Sequence, residues 1–332
     1  MQTAGTFESP ELDIGFYRLR FSPASAVPPE RWTGSAWRGI FGWGLRRLVC
    51  TARDVECPAC LLYHTCVYSY LFETPPPPGA EKMRKYTAAP HPFVLWPASS
   101  PSGDDYLLYF NLFGRANQML AYVVQAFARG ARYGIHPLRR PIELKDVEQQ
   151  VPPGHGEWRS IVESDGRLRP QPAGMPVWPP APRRVRVVLI TPLRLRVQES
   201  YVGPEDFRFA DLFSNLLRRC SLLMYFHGSR PLETDFAGLV ERSRRVTIER
   251  ADLRWQEWAR YSNRQRQKML MGGLMGSFEF DAVGLEPLWP YLWLGQYLHA
   301  GKGATMGLGR YALLPASNPE SLPMGPGLHG AR

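Results

Sequence analysis

The chain has 332 residues, which is enough for two domains of ordinary size, and 44% of them are hydrophobic, so it can bury a sizeable core. Forty basic residues against 30 acidic ones give a net charge of +10, and 12% of the residues are aromatic. This combination favours a nucleic acid as the partner. No stretch reaches 18 apolar residues and the N-terminus lacks a signal pattern, so we expect a cytoplasmic protein with no membrane partner.

Hydrophobic periodicity divides the first half of the chain into strands and helices. Glycines at 34, 39, 42 and 44 weaken the first predicted helix, which indicates close approach of another backbone or of RNA. The predicted elements are a strand at 14–21, a helix at 31–49, strands at 68–73, 92–96 and 106–111, a helix at 112–129 and a strand at 142–148.

The second half repeats this order after a segment at 154–182 that is rich in Pro, Gly and charge and is predicted to be a surface excursion and linker. Strand, helix, paired strands, helix and strand is the split-βαβ, ferredoxin-like order. We therefore predict an α+β fold of two tandem ferredoxin-like domains, 1–182 and 183–332, with an unrelated α+β architecture as the alternative. The predicted elements are a strand at 184–197, a helix at 209–226, strands at 246–258 and 269–280, a helix at 285–298 and a strand at 311–314.

Four of the five cysteines cluster at 50–66, with six, two and five residues between them. Four thiolates can close the tetrahedral shell of a zinc ion, so any zinc here is structural rather than catalytic. Three alternatives are His64 in place of one thiol, an iron–sulfur cluster, and four ordinary thiols. Cys220 lies on a predicted helix and is expected in the core. The predicted metal ligands are Cys50, Cys57, Cys60 and Cys66.

A glycine-rich loop at 299–311 separates the last predicted helix from the last strand. Glycine lets backbone amides approach phosphate oxygens, and Lys302 and Arg310 add positive charge. No Gly-Lys-Ser/Thr opens a helix here, which excludes a P-loop. The composition predicts contact with a polyanion, with a flexible turn as the alternative. The four glycines are Gly301, Gly303, Gly307 and Gly309.

Together these segments resemble the CRISPR-associated endoribonucleases of the RAMP superfamily that process precursor crRNA, in the larger branch with a zinc-type cysteine cluster. The resemblance covers nearly the whole chain. The segments that carry it include Trp37-Arg38-Gly39, the cysteine cluster, Phe72-Glu73-Thr74-Pro75, His91-Pro92-Phe93, Arg260-Tyr261-Ser262, Gly272-Gly273-Leu274, His299-Ala-Gly301-Lys302 and Gly307-Leu-Gly309-Arg310-Tyr311.

The resemblance implies tandem RAMP/RRM-like domains, with CRISPR repeat RNA and other CRISPR effector subunits as partners. It implies cleavage by attack of a ribose 2′-hydroxyl on the adjacent phosphate, without a catalytic metal, leaving a 2′,3′-cyclic phosphate and a free 5′-hydroxyl. A non-catalytic RNA-binding subunit of an interference complex is the alternative. A zinc-bearing DNA-binding regulator is a third, although no helix-turn-helix or zinc-finger spacing is present.

The first predicted helix has no histidine, whereas relatives commonly place one on or near it, so the usual assignment cannot be carried over. We assign catalysis to His299 first, with Lys302 and His91. His136, His155 and His227 are predicted to be ordinary surface residues. The predicted RNA contacts are Arg38, Arg218, Arg219, Arg260, Arg264, Gly301, Gly303, Gly307, Gly309 and Arg310.

Overall fold

Two compact units divide the chain in the computed structural model. The N-terminal unit comprises Glu11–Val177 and Leu222–Pro231. The C-terminal unit comprises Trp178–Ser221, the described residues from Leu232 onward, and residues 7–10. The structure describes residues 7–23, 25, 34–84, 86–99, 103–134, 140–257, 259–262 and 267–316, and of 259–262 and 267–270 it describes the backbone alone.

The N-terminal unit has the ferredoxin-like arrangement. Its elements are β1 (Ile14–Ser22), α1 (Gly34–Val49), β2 (Phe93–Ser99), β3 (Tyr106–Phe113), α2 (Leu120–Arg132), β4 (Glu143–Val151) and β5 (Glu157–Ser160). The strand order is β2-β3-β1-β4-β5, and every neighbouring pair is antiparallel. β1 therefore lies between β3 and β4, as the split-βαβ order requires, and β5 extends the sheet beyond β4.

The core of this unit lies between the sheet and the two helices. Trp37 and Phe41 of α1 are buried against Phe127 of α2, with the Phe41 and Phe127 ring centres 4.8 Å apart. Gly44 brings the helices close, because a Cβ there would lie 2.1 Å from the carbonyl oxygen of Ala126. Gly44 thus serves the close approach of another backbone, which is one of the two explanations that the sequence offered for the glycines of α1.

The C-terminal unit repeats the ferredoxin-like order with an additional helix. Its main elements are β6 (Arg184–Leu193), α3 (Phe209–His227, whose residues from Leu222 onward belong to the N-terminal unit), α4 (Phe236–Arg244), β9 (Ile248–Gln256), β12 (Gly273–Asp281), α5 (Trp289–Leu298) and β13 (Tyr311–Pro315). Two short hairpins join β7 (Arg196–Val197) to β8 (Ser200–Tyr201) and β10 (Ala259–Ser262) to β11 (Gln267–Leu270). The four-stranded sheet has the order β13-β6-β12-β9 and is antiparallel throughout.

Aromatic packing between the helices and the sheet forms the core of the C-terminal unit. Phe209 of α3 packs edge-on against Phe280 of β12, with ring centres 4.8 Å apart, and Phe213 packs against Tyr291 of α5. The Tyr311 hydroxyl donates to the Leu292 carbonyl oxygen at 2.6 Å, which joins β13 to α5. Within the described part of the chain, no helix combines the length and the apolar character needed to cross a bilayer.

The structure corrects several predicted elements. The strand expected at 68–73 is wrong, because Ser69–Glu73 forms a π-helix that ends when Thr74 N–H donates to the Ser69 carbonyl oxygen. A short apolar run does not distinguish strand from helix by periodicity. The helix expected from residue 112 begins at Leu120, since β3 runs to Phe113 and a 3₁₀ helix, Gly114–Met119, follows it, with Gly114 at φ +54°. Neither α4 nor β5 was predicted.

Candidate functional site

Arg38 and His91 lie side by side in the N-terminal unit, although they are 53 residues apart in sequence. Arg38 projects from α1, and His91 lies just before β2. Arg38 Nη2 is 3.4 Å from His91 Nε2, and the guanidinium carbon lies 4.3 Å from the centre of the Phe72 ring. The aromatic ring therefore supports the guanidinium through a cation–π contact while one edge of the guanidinium faces the histidine.

Thr74 fixes the orientation and the tautomer of the His91 ring. Thr74 Oγ1 donates to the Tyr70 carbonyl oxygen at 3.1 Å and lies 2.7 Å from His91 Nδ1. Because the hydroxyl proton is directed to Tyr70, the hydrogen-bond network assigns the imidazole proton to Nδ1 and leaves Nε2 as the acceptor toward Arg38. Thr74 has φ +52°, which β-branched residues rarely adopt, and such strain concentrates at functional sites.

The hydrogen bond from Ala89 N–H to the Thr74 carbonyl oxygen, at 2.8 Å, holds the segment before His91 against the end of the π-helix. His91 and Arg38 are both half-buried rather than sealed in the core. A neutral imidazole with Nε2 as acceptor can remove a proton, and a guanidinium can stabilise charge that develops on phosphate oxygens. The pair therefore supplies a base and a cation for acid–base chemistry on an anionic substrate.

His227 belongs to a second network, and its predicted surface position is wrong. Its side chain is 2% exposed, its Nε2 lies 2.8 Å from the Pro90 carbonyl oxygen, and its Nδ1 lies 3.2 Å from the Tyr70 hydroxyl. Nε2 must donate to the carbonyl, so Nδ1 accepts from Tyr70. Burial raises the pKa of Tyr70, although Arg115, which donates to its hydroxyl, acts in the opposite direction. This network holds Pro90, the residue before His91, in place.

The glycine-rich loop of the C-terminal unit folds tightly against its own backbone. Its four glycines, Gly301, Gly303, Gly307 and Gly309, have φ between +69° and +84°. A Cβ at Gly309 would lie 1.8 Å from the Ala300 carbonyl oxygen, and one at Gly301 would lie 2.4 Å from that of Arg194. The loop conformation itself therefore requires glycine at these positions.

Most amides of this loop already have partners inside the C-terminal unit. Gly301 N–H donates to Asn215 Oδ1 at 2.8 Å, and Gly309 N–H donates to the Pro192 carbonyl oxygen at 2.9 Å. The amides of Lys302, Gly307 and Arg310 are also engaged within the unit. A phosphate could reach these amides only by displacing those hydrogen bonds. RNA contact by the glycines therefore stays a prediction, and the glycines also have a structural role in the loop.

His299 is completely buried at the start of the loop. Burial, followed by the charges of Arg310 and Arg219, holds the pKa of its imidazole well below the ordinary value, whereas the backbone at Leu308 and Ala304 acts in the opposite direction. His299 is therefore neutral near pH 7 and closed to solvent. Its catalytic role stays a prediction, and its surroundings are those of a residue that stabilises the loop.

The other predicted cations of the C-terminal unit differ in exposure. Lys302 and Arg218 are exposed, and Arg310 is half-buried beside His299. Arg219 Nε donates to the Leu298 carbonyl oxygen at 2.8 Å, and burial lowers its pKa to about 10, so it keeps its charge at neutral pH. The side chain of Arg260 and all of Arg264 and His136 lie outside the described residues.

The four clustered cysteines are half-buried thiols. Burial raises the pKa of Cys57, and so does the charge of Glu73. Cys50 and Cys66 are close enough to raise it further. Among the described residues, no group of three or more His, Cys, Asp or Glu side chains has a metal-binding arrangement. The thiols are thus near one another without a preformed tetrahedral site. His64 is exposed beside Tyr63, and Cys220 is in the core as predicted.

The structure brings together Arg38 and His91, which the sequence selected for separate reasons. Phe72 and Thr74 had no predicted role, and the only sequence signal for them was their place in a segment that carries the resemblance. His299, Lys302 and Arg310 cluster in the other unit.

Two domain models match the chain. Residues 12–173 match a model described as an N-terminal domain, and residues 187–311 match the CRISPR-associated endoribonuclease Cas6. Among curated proteins none matches significantly.

Several solved structures are similar to the chain at low sequence identity. A Cas6 product complex is 15% identical with a TM-score of 0.55, over 91% of this chain and 100% of that one. A second Cas6 product complex is 15% identical with a TM-score of 0.48, over 91% and 99%. A partial Cas6-RT-Cas1–Cas2 complex is 14% identical with a TM-score of 0.49, over 96% and 48%. The first match, together with the strand orders, confirms the predicted tandem ferredoxin-like fold.

Proposed function

We propose that this chain is a CRISPR-associated endoribonuclease of the Cas6 type that binds the repeats of precursor CRISPR RNA and cleaves them without a metal ion, with His91 as the base and Arg38 as the cation. The contact between Arg38 on α1 and His91 just before β2 is the observation that carries the proposal. α1 itself has no histidine, as the sequence showed, and in this proposal His91, from the segment before β2, takes the role of base beside that helix.

In the proposed reaction, His91 Nε2 removes the proton of a ribose 2′-hydroxyl. The 2′-oxygen attacks the adjacent phosphorus, the bond from phosphorus to the 5′-oxygen breaks, and the leaving oxygen takes a proton from water. The products are a 2′,3′-cyclic phosphate and a 5′-hydroxyl. Arg38 stabilises the additional negative charge on the phosphorane, and Thr74 keeps the imidazole in the tautomer that can act as base.

RNA binding is proposed to extend beyond this pair to the exposed cations that the sequence selected. Among the members of that set in the C-terminal unit whose side chains the structure describes, Lys302 and Arg218 are the exposed ones. Arg forks and Lys ammonium groups bind phosphate oxygens without reading bases. CRISPR repeat RNA is therefore the proposed principal partner, and other CRISPR effector subunits are proposed as additional ones.

The test is cleavage of end-labelled repeat RNA in EDTA, with a second substrate that lacks the 2′-hydroxyl at the scissile position. We expect cleavage of the first substrate to survive chelation, the second substrate to stay intact, and the upstream product to end in a cyclic phosphate. Cleavage that stops in EDTA and returns with Mg²⁺ would contradict the metal-independent mechanism. Cleavage of the deoxy substrate would contradict attack by the 2′-oxygen.

The second candidate function is RNA binding without cleavage, and the absence of histidine from α1 favours it. It predicts that the protein retains repeat RNA with high affinity while no product forms at any enzyme concentration. The same assay separates the two functions, because binding and product are measured on one substrate.

We also propose that the cysteine cluster binds a structural zinc ion, on the chemistry of its four thiols. Since the thiols are not preassembled, binding would require the 50–66 segment to close around the ion. Elemental analysis of the purified protein should give one zinc per chain, lost in a Cys57→Ser/Cys60→Ser variant. A folded, metal-free wild-type protein would contradict this proposal.

A further inference from the structure

A concave surface of the N-terminal unit, outside the Arg38–His91 pair, combines four arginines with two aromatic rings. We call it the arginine–aromatic pocket, and its volume is about 340 Å³. α1 and the segment after it supply one wall, and the end of α2 supplies the other. Its lining residues are Trp43, Arg47, Arg53, Arg129, Arg132 and Tyr133.

The aromatic rings of the pocket are held in place but remain accessible. Trp43 and Tyr133 meet edge to face, with ring centres 4.2 Å apart, and the Arg47 guanidinium lies 4.6 Å from the centre of Trp43. The Arg47 guanidinium also lies 5.9 Å from the centre of the Tyr133 ring, yet Tyr133 is 62% exposed, so part of its surface stays accessible beside the arginines. An exposed ring of this kind is a stacking platform for a nucleic acid base.

The positive charge of the pocket is not neutralised within the protein. The four lining arginines are all exposed, and within the described part of the chain none of them forms a salt bridge with a carboxylate. The pKa of Glu143 is lowered by Lys145, with which it forms an ion pair at 2.6 Å, and to a smaller extent by the charge of Arg132. Four unpaired guanidinium groups around one cavity favour a ligand with several negative charges.

The pocket is separate from the proposed cleavage site. At about 100° per residue on an α-helix, Trp43 and Arg47 lie about 140° and about 180° around α1 from Arg38. Arg38 instead faces Phe72 and His91. A ligand in the arginine–aromatic pocket therefore contacts a different face of α1 from the scissile phosphate.

We propose that the arginine–aromatic pocket binds a single-stranded segment of RNA, with one base stacked on Tyr133 and the flanking phosphates held by Arg47, Arg129 and Arg132. This inference rests on the proposed function for its choice of RNA as the ligand. Accessible rings favour a base over an acidic peptide, because a peptide carboxylate would use the arginines and leave the rings uncovered. The pocket thus anchors a part of the RNA chain that is not being cut.

The test uses an oligouridylate decamer, which contains no repeat sequence, as the probe. Arg129→Gln/Arg132→Gln should weaken its binding by on the order of tenfold and reduce the slope of log Kd against log salt by about 1.4, which is the value for two single-strand phosphate contacts. The matched control is Arg167→Gln/Arg169→Gln. It removes two exposed arginines of the same unit that are already paired with Asp165 and Glu163.

Tyr133→Ala isolates the stacking contribution and should weaken decamer binding by about tenfold. Tyr122→Ala removes an exposed tyrosine of α2 that does not line the pocket and should leave binding unchanged. Equal affinities for the pocket variants and their controls would overturn the proposal. So would an acidic probe, hexaglutamate, that binds at the pocket more tightly than the decamer does.

Failure of the pocket and failure of the proposed function are distinguishable. Decamer binding depends on the arginine–aromatic pocket and not on His91, and cleavage of saturating repeat RNA depends on His91 and not on the pocket. If wild-type protein cleaves repeat RNA while the pocket variants bind the decamer normally, only the pocket proposal fails. If decamer binding depends on the pocket and no repeat RNA is cleaved, the cleavage proposal fails.

Discussion

The two histidines placed closest to candidate chemistry, His91 and His299, occupy opposite kinds of environment. His91 is half-buried, has its tautomer set by Thr74 and faces a guanidinium. His299, the first residue of the glycine-rich loop, is completely buried, and its pKa is held well below the ordinary value. A base must reach the proton that it removes, so the comparison teaches that a histidine beside a glycine-rich loop in sequence need not be available to a substrate.

Glycines show the same contrast between position and role. In the loop, Gly301 and Gly309 have positive φ and leave no room for a Cβ. In α1, Gly39 has helical geometry and open space around it. A glycine near a candidate site therefore marks a backbone conformation that needs glycine at some positions, whereas at others the backbone would accept any small residue.

Removal of each histidine in turn should separate their roles, and cleavage is the measurement. His91→Ala should reduce the single-turnover rate at saturating RNA by at least about a hundredfold, the scale for loss of a general base. RNA affinity should change little, whereas the melting temperature should fall somewhat, because the half-buried ring loses its contacts with Thr74, Phe72 and Phe93.

The control for this experiment is His155→Ala, which removes an exposed histidine of the same unit. Cleavage by His91→Ala at the wild-type rate would remove His91 from the mechanism. A hundredfold loss in His299→Ala at an unchanged melting temperature would instead return the catalytic assignment to His299.

Gly309→Ala should destabilise the C-terminal unit by about 3 kcal/mol, since the new Cβ would clash with the Ala300 carbonyl oxygen at a φ of +69°. Gly39→Ala is the matched control and should stabilise α1 by about 0.5–1 kcal/mol, because the helix gains propensity without a clash. Differential scanning calorimetry of both variants measures the two effects. A neutral Gly309→Ala would show that the loop adjusts freely.

His299 should also make stability depend on pH. Its folded pKa lies well below the unfolded value near 6.5, so the unfolded state binds the proton first as the pH falls. Its contribution is therefore fully present above pH 6.5 and is lost below it, by up to about 1.4 kcal/mol per pH unit. Denaturant titrations from pH 7.5 to 5 should show this slope, reduced in His299→Phe and unchanged in His155→Gln. Identical slopes in all three proteins would contradict the burial argument.

Much of the fold was accessible from the sequence because strands and helices there have strong periodicity. Tyr17, Leu19 and Phe21 alternate on β1, and Val123, Val124 and Phe127 form one apolar stripe on α2. The π-helix at Ser69–Glu73 was not accessible, since its run of large side chains fits a strand equally well. That element places Phe72 and Thr74 against Arg38 and His91, so missing it also hid the connection between the two predicted site residues.

The smallest effect expected is at Thr74, and it tests whether His91 needs an assigned tautomer. Thr74→Val keeps the shape of the side chain but removes the hydroxyl that lies 2.7 Å from His91 Nδ1. Loss of one such hydrogen bond should slow cleavage about threefold to tenfold and shift the pH profile of the rate, with RNA affinity unchanged. Thr74→Ser keeps the hydroxyl and should restore the wild-type profile. An effect transmitted through the hydroxyl should appear in the Val variant and not in the Ser variant. If both variants cleave RNA equally slowly and keep the wild-type pH profile, Thr74 stabilises the fold and does not set the tautomer of His91.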